Sequence, residues 1–374
     1  MKKNTSFLIA LFFIVQLGCA QDNPPYIETS QQINYSYEVV VDGIDIPWGM
    51  AFINNNELLV TEKSGILYLV KEGQKKEISG LPSVYVRGQG GLLDVALHPN
   101  FSENNILYMT LGTNTEGDEE GGNTSLYSAT LNGFELSNVT LLYKATPNSK
   151  KGQHWGSRIV FDQEGHVYFG VGDRGNRDVN PQDLSRDGGK IYRLNLDGSI
   201  PEDNPFVDEI GAKKAVFSFG HRNPQGMTVH PDTGAIWENE HGPQGGDEIN
   251  IIKGGVNYGW PKITYGINYS GTPITDKTSD PDMAQPFYYW VPSIGPSGMA
   301  FSSSGIYKDW KGNLFVGSLK FEYLERLVIE NNKVIKREKV LDKIGRVRNV
   351  VEGPDGFLYV GVEGKGILKI VPNP

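Results

Sequence analysis

In the stretch "FSFGHRNPQGM", Phe217 to Met227, three polar side chains follow one another: His221, Arg222 and Asn223. The run Val216 to Phe219 reads as a strand, Gly220 ends it, and Pro224 turns the chain. The three therefore stand at a strand edge, where a guanidinium and an amide suit a ligand rich in oxygen. Other stretches carry comparable chemistry. "GQHWGSR" holds His154, and "VGDRG" holds Asp173 nineteen residues on. A carboxylate beside a histidine fixes its tautomer and raises its basicity, the arrangement of a general base. "GSLK" ends in Lys320, and "GRVRN" places Arg346 and Arg348 at strand spacing, pointing the same way. In "ENEHGPQGGDEINII", the glycines and Pro243 expose backbone carbonyls, and Asp247 and Glu248 add carboxylates. Hard oxygen donors of this kind suit Ca²⁺ rather than Zn²⁺.

The elements that position these residues form a repeat. Six segments share one shape, a short apolar strand, a turn, and a second strand rich in aromatic and branched residues. They are "GMAFINNNELLVTE", "LDVALHPNFSENNILYMTL", "SRIVFDQEGHVYFGVGD", "GMTVHPDTGAIWENE", "GMAFSSSGIYKDWKGNLFVGS" and "NVVEGPDGFLYVGV". Their spacing is irregular, on the order of 40 to 80 residues, so each repeat carries further strands such as "GILYLVKEG" and "GGKIYRLNLDG". Apolar residues at helical spacing are missing from any long stretch. Four strands per repeat in six copies reads as an all-β protein, a six-bladed β-propeller of four-stranded antiparallel blades. The last repeat is short, and "YSYEVVV" is expected to complete its sheet beside "GILKIVP".

In an antiparallel hairpin, the start of the first strand and the end of the second share one edge. Six hairpins in equivalent orientation gather those positions on one face. Trp48, Gln89, His154, Arg222, Asn223, Arg346 and Arg348 precede the first strands. Asp173, Glu240 to Pro243, Lys320 and Glu363 follow the second. The opposite edge reads "NNN", "SENN", "DQEG", "DTG" and "DG", ordinary turn residues. A cluster of cations on one face of an acidic protein calls for an anion with more than one carboxylate or phosphate. Surface ion pairing among those cations is the alternative. His98, His166 and His230 fall at turns and read as solvated.

The net charge of -9 at pH 7 disfavours nucleic acid, whose binders present a basic face. Residues 1–20 read as a targeting segment: Lys2 and Lys3, the apolar run "FLIALFFIV", then "QLGCAQ". Cleavage after Ala20 gives an exported periplasmic protein. Acylation of Cys19, the only cysteine, gives a lipid-anchored lipoprotein, and Gln16 stands where such signals usually carry Leu. Both stay open. Residues 21–34 are a polar linker, and 35–374 form a single propeller domain. The only membrane link expected is that lipid anchor, and a monomer or a homodimer fits equally.

The motifs "GQGGLLDVALHP", "QHWGSRIVF", "VGDRG", "GHRNPQGM", "EHGPQGGDEIN", "NYGWP", "PSGMAF", "GSLK" and "GRVRNV" follow one another in an order that resembles the soluble aldose sugar dehydrogenases dependent on pyrroloquinoline quinone (PQQ), the glucose/sorbosone dehydrogenase family. The resemblance runs from about Trp48 to the C-terminus. It implies a six-bladed propeller that oxidises an aldose at the anomeric carbon to the lactone. His154 would take the proton as general base, supported by Asp173, and hydride would pass to PQQ. Arg222 and Asn223 would polarise the quinone oxygens. Lys320, Arg346 and Arg348 would hold the PQQ carboxylates. Gln89 would lie near sugar and cofactor, and Trp290 would line the pocket. The Gly242 and Pro243 carbonyls would bind a Ca²⁺ that docks PQQ. Glu248 and the Tyr258 carbonyl would bind a second, structural Ca²⁺. A quinone or similar acceptor would take the electrons onward. Asn349 departs from the pattern, which has Asp there, and short loops imply an open pocket and a broad aldose range. Two alternatives share the architecture. A metal-dependent lactonase is disfavoured by a face dominated by cations. A ligand-binding propeller without catalysis would have lost His154, Lys320 or the arginine pair.

Overall fold

The computed structural model describes residues 35–114 and 118–373. The targeting segment, Cys19 and the linker lie outside the described residues. Six four-stranded antiparallel sheets follow one another; five are built from strands in chain order, and the sixth combines the last three strands with the first. Their first strands are Pro47–Asn54, Leu92–Leu97, Ile159–Phe161, Pro224–Val229, Pro296–Phe301 and Val347–Glu352. These six stand next to one another around the axis. They open blades 1 to 6 in that order, so the six repeats read from the sequence are the six inner hairpins. The one helix among the described residues, Phe101–Asn104, is a single turn inside the second hairpin. No described helix is long and apolar enough to cross a membrane.

The ring closes as the pattern implies. Tyr35–Val41 pairs antiparallel with Gly366–Pro372 from Tyr35 opposite Pro372 to Val41 opposite Ile367, and so supplies the fourth strand of blade 6. Inner strands such as Leu314–Ser318 and Leu358–Val362 are buried residue after residue, so both of their faces pack between neighbouring blades. Six buried apolar clusters each fill one junction between blades. Each fully buried Leu or Phe there contributes about 1.5–3 kcal/mol. The junction of blades 3 and 4, built on Tyr168, Ile191, Met227, Ile236, Ile252 and Tyr258, is the smallest of the six.

Near the axis the blades are tied by polar bonds to backbone. The Thr110 hydroxyl donates to the Ser157 carbonyl at 2.7 Å, Asn239 Nδ2 to the Ser297 carbonyl at 2.8 Å, and the Ser297 hydroxyl to the Val347 carbonyl at 2.6 Å. The close approach needs glycine. A Cβ at Gly226 would lie 2.3 Å from the Ser297 oxygen, and one at Gly298 2.4 Å from Asn349 Oδ1. This explains the repeated "GM" at the start of these strands. The strongest tie is charged. Arg158 Nη1 donates to Asp94 Oδ1 at 2.7 Å, the Ile159 amide donates to Asp94 Oδ2 at 2.8 Å, and the guanidinium lies over Trp48 at 4.5 Å. Burial pushes the Asp94 carboxyl up, and Arg158 works against that push. Both partners are buried, and removing one leaves the other's charge uncompensated, a loss of about 3–5 kcal/mol. Asp94→Ala should lower unfolding stability by that amount, measured by urea denaturation.

Candidate active site

The register puts both edges of each inner hairpin where the sequence placed them. Pro47 pairs with Glu62, Pro224 with Glu240, Pro296 with Ser318 and Val347 with Val362. On that face a pocket of about 370 Å³ is lined by His154, Asp173, Arg222, Pro243 and Trp260, with Arg177, Asn268 and Tyr269 among its other walls.

His154 and Asp173 meet at its floor. His154 Nδ1 lies 2.6 Å from Asp173 Oδ1. The same oxygen accepts the Gly175 amide at 2.7 Å, and Trp260 Nε1 donates to the second oxygen at 3.0 Å. Asp173 is 1% exposed. Burial opposes its charge, but the hydrogen bonds from His154 and Trp260 and the charge of Arg222 outweigh it and hold the carboxyl below its usual range. Burial also pushes the His154 imidazole down, with help from Arg222 and Arg174 and against the pull of Asp173. The ring is therefore neutral at neutral pH. Asp173 accepts from Nδ1–H, which leaves Nε2 as the free basic nitrogen. Trp260 stood in a motif of the sequence but had no role assigned; its indole is what holds the second oxygen of Asp173.

Arg222 is fixed by its neighbours. Its Nη1 donates to the carbonyls of His241 at 2.9 Å and Gly242 at 3.0 Å, and its Cζ lies 5.4 Å from the Trp260 ring centre. The backbone amides of Arg222 and Asn223 both donate to Glu240 Oε2, the second at 3.1 Å. Asn223 accepts at Oδ1 from the Gly156 amide and Gln225, while its buried Nδ2 has no partner among the described residues. His221, one residue earlier, points away from the pocket into the core, where it stacks on Tyr258 at 4.7 Å.

The expected cations reach this face by different routes. Lys320 is exposed and forms no ion pair among the described residues. Arg346 and Arg348 share Glu363: Arg346 Nε donates to Oε2 at 2.7 Å and Arg348 Nε to Oε1 at 3.1 Å. Arg346 Nη1 also reaches the Leu319 carbonyl at 2.9 Å, which joins the arginine pair to the strand end before Lys320. Lys63 adds a fourth cation, one without a role in the sequence pattern. It donates to the Gly88 carbonyl at 2.8 Å, and burial and Arg348 push it down. Gln89 is an exposed residue whose Oε1 accepts the His154 amide at 2.8 Å.

Trp290 does not line the pocket. It is 0% exposed, packed in the apolar junction of blades 4 and 5, with Nε1 donating to Glu325 at 2.9 Å. It sits on the outermost strand of blade 4, Tyr288–Trp290, opposite Asp247. Asp247 is also no free ligand. It accepts from the Gly242, Ile294 and Gly295 amides and from the Ser293 hydroxyl. Burial pushes its carboxyl up to about 6, and those bonds work against the push. Its work is to shape the Gly242–Pro243 loop, whose Gly242 carbonyl is held by Arg222.

Glu248 belongs to a different group. Pairing of Glu238 with Asn250 and of Glu240 with Glu248 puts all four on one face of blade 4. Asn250 Nδ2 lies 3.3 Å from Glu238 and from Glu240, and 3.5 Å from Glu248. His221 and Glu240 meet at 3.3 Å, and the atoms of His221, Glu238 and Glu240 lie within one cation's reach. Burial first, and the charge of Glu240 second, push the Glu238 and Glu248 carboxyls well above their usual range. Tyr258 lies beside them, with its hydroxyl donating to the Ile251 carbonyl at 2.7 Å. Glu238 Oε1 and Asn250 Oδ1 are buried acceptors without a partner among the described residues. A hard divalent cation fits this donor set.

Comparison with known proteins shows the family. The family model for glucose/sorbosone dehydrogenases matches residues 44–369, and the chain belongs to that family. It is 38% identical over 373 residues to the aldose sugar dehydrogenase YliI of Escherichia coli, covering 97% of this chain and 98% of that protein. The crystal structure of the soluble E. coli aldose sugar dehydrogenase in its apo form superposes with a TM-score of 0.87, at 38% identity over 91% of this chain and all of that one. A PQQ-bound aldose sugar dehydrogenase from Streptomyces coelicolor superposes at 0.73, with 26% identity over 91% of this chain and 99% of the other.

A cation that binds only the folded state adds about 2.7 kcal/mol at a hundred times its dissociation constant. Adding Ca²⁺ to the metal-free protein should raise Tm, and Glu238→Gln should remove most of that rise. Differential scanning fluorimetry across a calcium titration measures both.

Proposed function

We propose that this chain is a PQQ- and Ca²⁺-dependent aldose dehydrogenase that converts the anomeric hydroxyl of a sugar to the lactone. The observation that carries the reading is His154, held through Nδ1 by Asp173 at 2.6 Å, in a pocket bordered by Arg222. His154 Nε2 takes the proton of the anomeric hydroxyl. Asp173 stabilises the imidazolium that forms, and Trp260 keeps Asp173 in place. Positioned base catalysis of this kind contributes about 10²–10⁴-fold.

PQQ, when bound, supplies the two-electron acceptor for the hydride that leaves the anomeric carbon. The residues present fit it. Among the described residues Lys320 forms no ion pair and Asn223 Nδ2 lacks a partner, and Arg346 keeps an exposed guanidinium. Arg348 adds positive charge behind them. Arg222 and Asn223 would face the quinone oxygens, and the Pro243 and Gly242 carbonyls would offer a cation its ligands beside them. Gln89 and Asp173 would border the sugar. Export to the periplasm, with or without a lipid on Cys19, fits an acceptor chain outside the cytoplasm.

Reconstitution tests the reading. Metal-free mature protein is mixed with Ca²⁺ and PQQ, together and separately, and dye reduction is followed with a panel of aldoses. Activity that requires both additions supports it; an absence of PQQ binding removes it and leaves a ligand-binding propeller. His154→Ala should lower kcat by about 10²-fold or more with PQQ still bound. Lys320→Ala should weaken PQQ binding, by about 1.5–3 kcal/mol for one charge-assisted bond, read by fluorescence titration.

A further inference from the structure

Arg174 follows Asp173 and is as deeply buried, yet nothing in the reaction uses it. Its guanidinium lies flat over Trp155, with Cζ 3.6 Å from the ring centre. Its fork donates to three backbone carbonyls: Nη1 to Gln153, and Nη2 to Lys151 at 3.0 Å and Gly122 at 3.3 Å. Other donors take the carbonyls between and before them. Gly152 receives the Gln89 amide at 2.7 Å and Trp155 Nε1 at 3.1 Å, and Lys150 receives Arg87 Nε at 2.9 Å. Four successive carbonyls, from Lys150 to Gln153, are therefore gripped from outside the loop. The next residue is His154, held in the left-handed region at φ 57°. A non-glycine residue stays there, at a cost of about 1–3 kcal/mol, only where its surroundings enforce it.

We infer that Arg174 is a positioning residue for His154: Asp173 orients the imidazole ring, and Arg174, by clamping the Lys151 and Gln153 carbonyls against Trp155, sets the backbone from which that ring projects. The inference rests on the reading of His154 as the base. A lysine cannot replace this arginine, because an ammonium offers neither a planar fork nor a face to stack. Arg174 also adds positive charge close to the imidazole. The other titratable groups around His154 are Asp173, Arg222 and His241, whose imidazole burial pushes down to about 3, with Lys151, Arg177 and Asp178 on the pocket wall.

The test reads His154 directly. Histidine-selective ¹³C labelling follows the imidazole titrations in the apo protein, with the His154 signal assigned by its loss in His154→Gln. Arg174→Gln should move the His154 midpoint up, as loss of a nearby like charge requires. In the reconstituted enzyme it should lower kcat per bound PQQ by about 10²-fold, the loss expected of a ~1 Å misplacement, with KM within about threefold. Arg174→Lys keeps the charge and covers the case in which Arg174→Gln does not fold. It should leave the His154 midpoint unmoved and still lower kcat. A wild-type kcat per bound PQQ in either variant overturns the inference, and so does an unmoved midpoint in Arg174→Gln. If the wild-type enzyme oxidises no sugar, the proposed function fails, and the titration alone decides whether Arg174 governs His154.

Discussion

Everything on the pocket face depends on closure of the ring. His154 and Asp173 come from blade 3, Arg222 from the entry to blade 4, Lys320 from blade 5, and Arg346 and Arg348 from blade 6. They are up to 194 residues apart in sequence. No local interaction could bring them together. What does so is the pairing of Tyr35–Val41 with Gly366–Pro372, which turns a row of hairpins into a circle with an inside. The hydrogen bonds from one blade's side chains to the next blade's backbone then fix the blades near the axis, at the end where the chemistry lies.

Within that frame, charge is managed by backbone as much as by counter-ions. The chain is acidic overall, but its pocket face collects arginines and lysines. Among the described residues Arg222 forms no salt bridge; it rests on the carbonyls of His241 and Gly242. Arg174 rests on three more. Such partners satisfy the donors without cancelling the charge, so the positive potential is kept for a ligand. Arg346 and Arg348 differ, because Glu363 lies between them. An anion there meets an arginine pair already ordered by one carboxylate, and that ordering spares the entropy of fixing two long side chains. Lys320, with no such partner, supplies the uncompensated charge.

The fold was legible because a propeller repeats its pattern. Short strands with aromatic and branched residues, punctuated by Asp-Gly and Pro turns, give the six inner hairpins directly, and the short last repeat gives the closure. The His154–Asp173 pair was legible for the same reason, since hairpin geometry alone brings the two ends of "SRIVFDQEGHVYFGVGD" together. Trp290 was misplaced because a tryptophan near a glycine-rich segment looks the same whether it faces a pocket or a junction. What decides it is the packing of blade 4 against blade 5, which buries the side chain completely. Trp260 and Arg174 were missed for a related reason. Their side chains bond to groups far away in sequence, Arg174 up to 52 positions off and Trp260 87, and no spacing rule encodes such bonds.

Glu240 shows why the two halves of blade 4 cannot be treated separately. One of its oxygens receives the backbone amides of Arg222 and Asn223, the residues at the pocket. The other faces His221 and Asn250, inside the buried carboxylate group. That group occupies the blade junction with the smallest apolar cluster, so burial contributes least where like charges are most crowded. Three carboxylates in a low-dielectric space repel one another unless protons or a cation relieve them. Either form of relief acts on the same side chain that pins Arg222. The stability of the blade 3–blade 4 junction and the position of the Arg222 backbone are thus joined through one glutamate. A substitution there would be felt as lost stability and as a displaced guanidinium together.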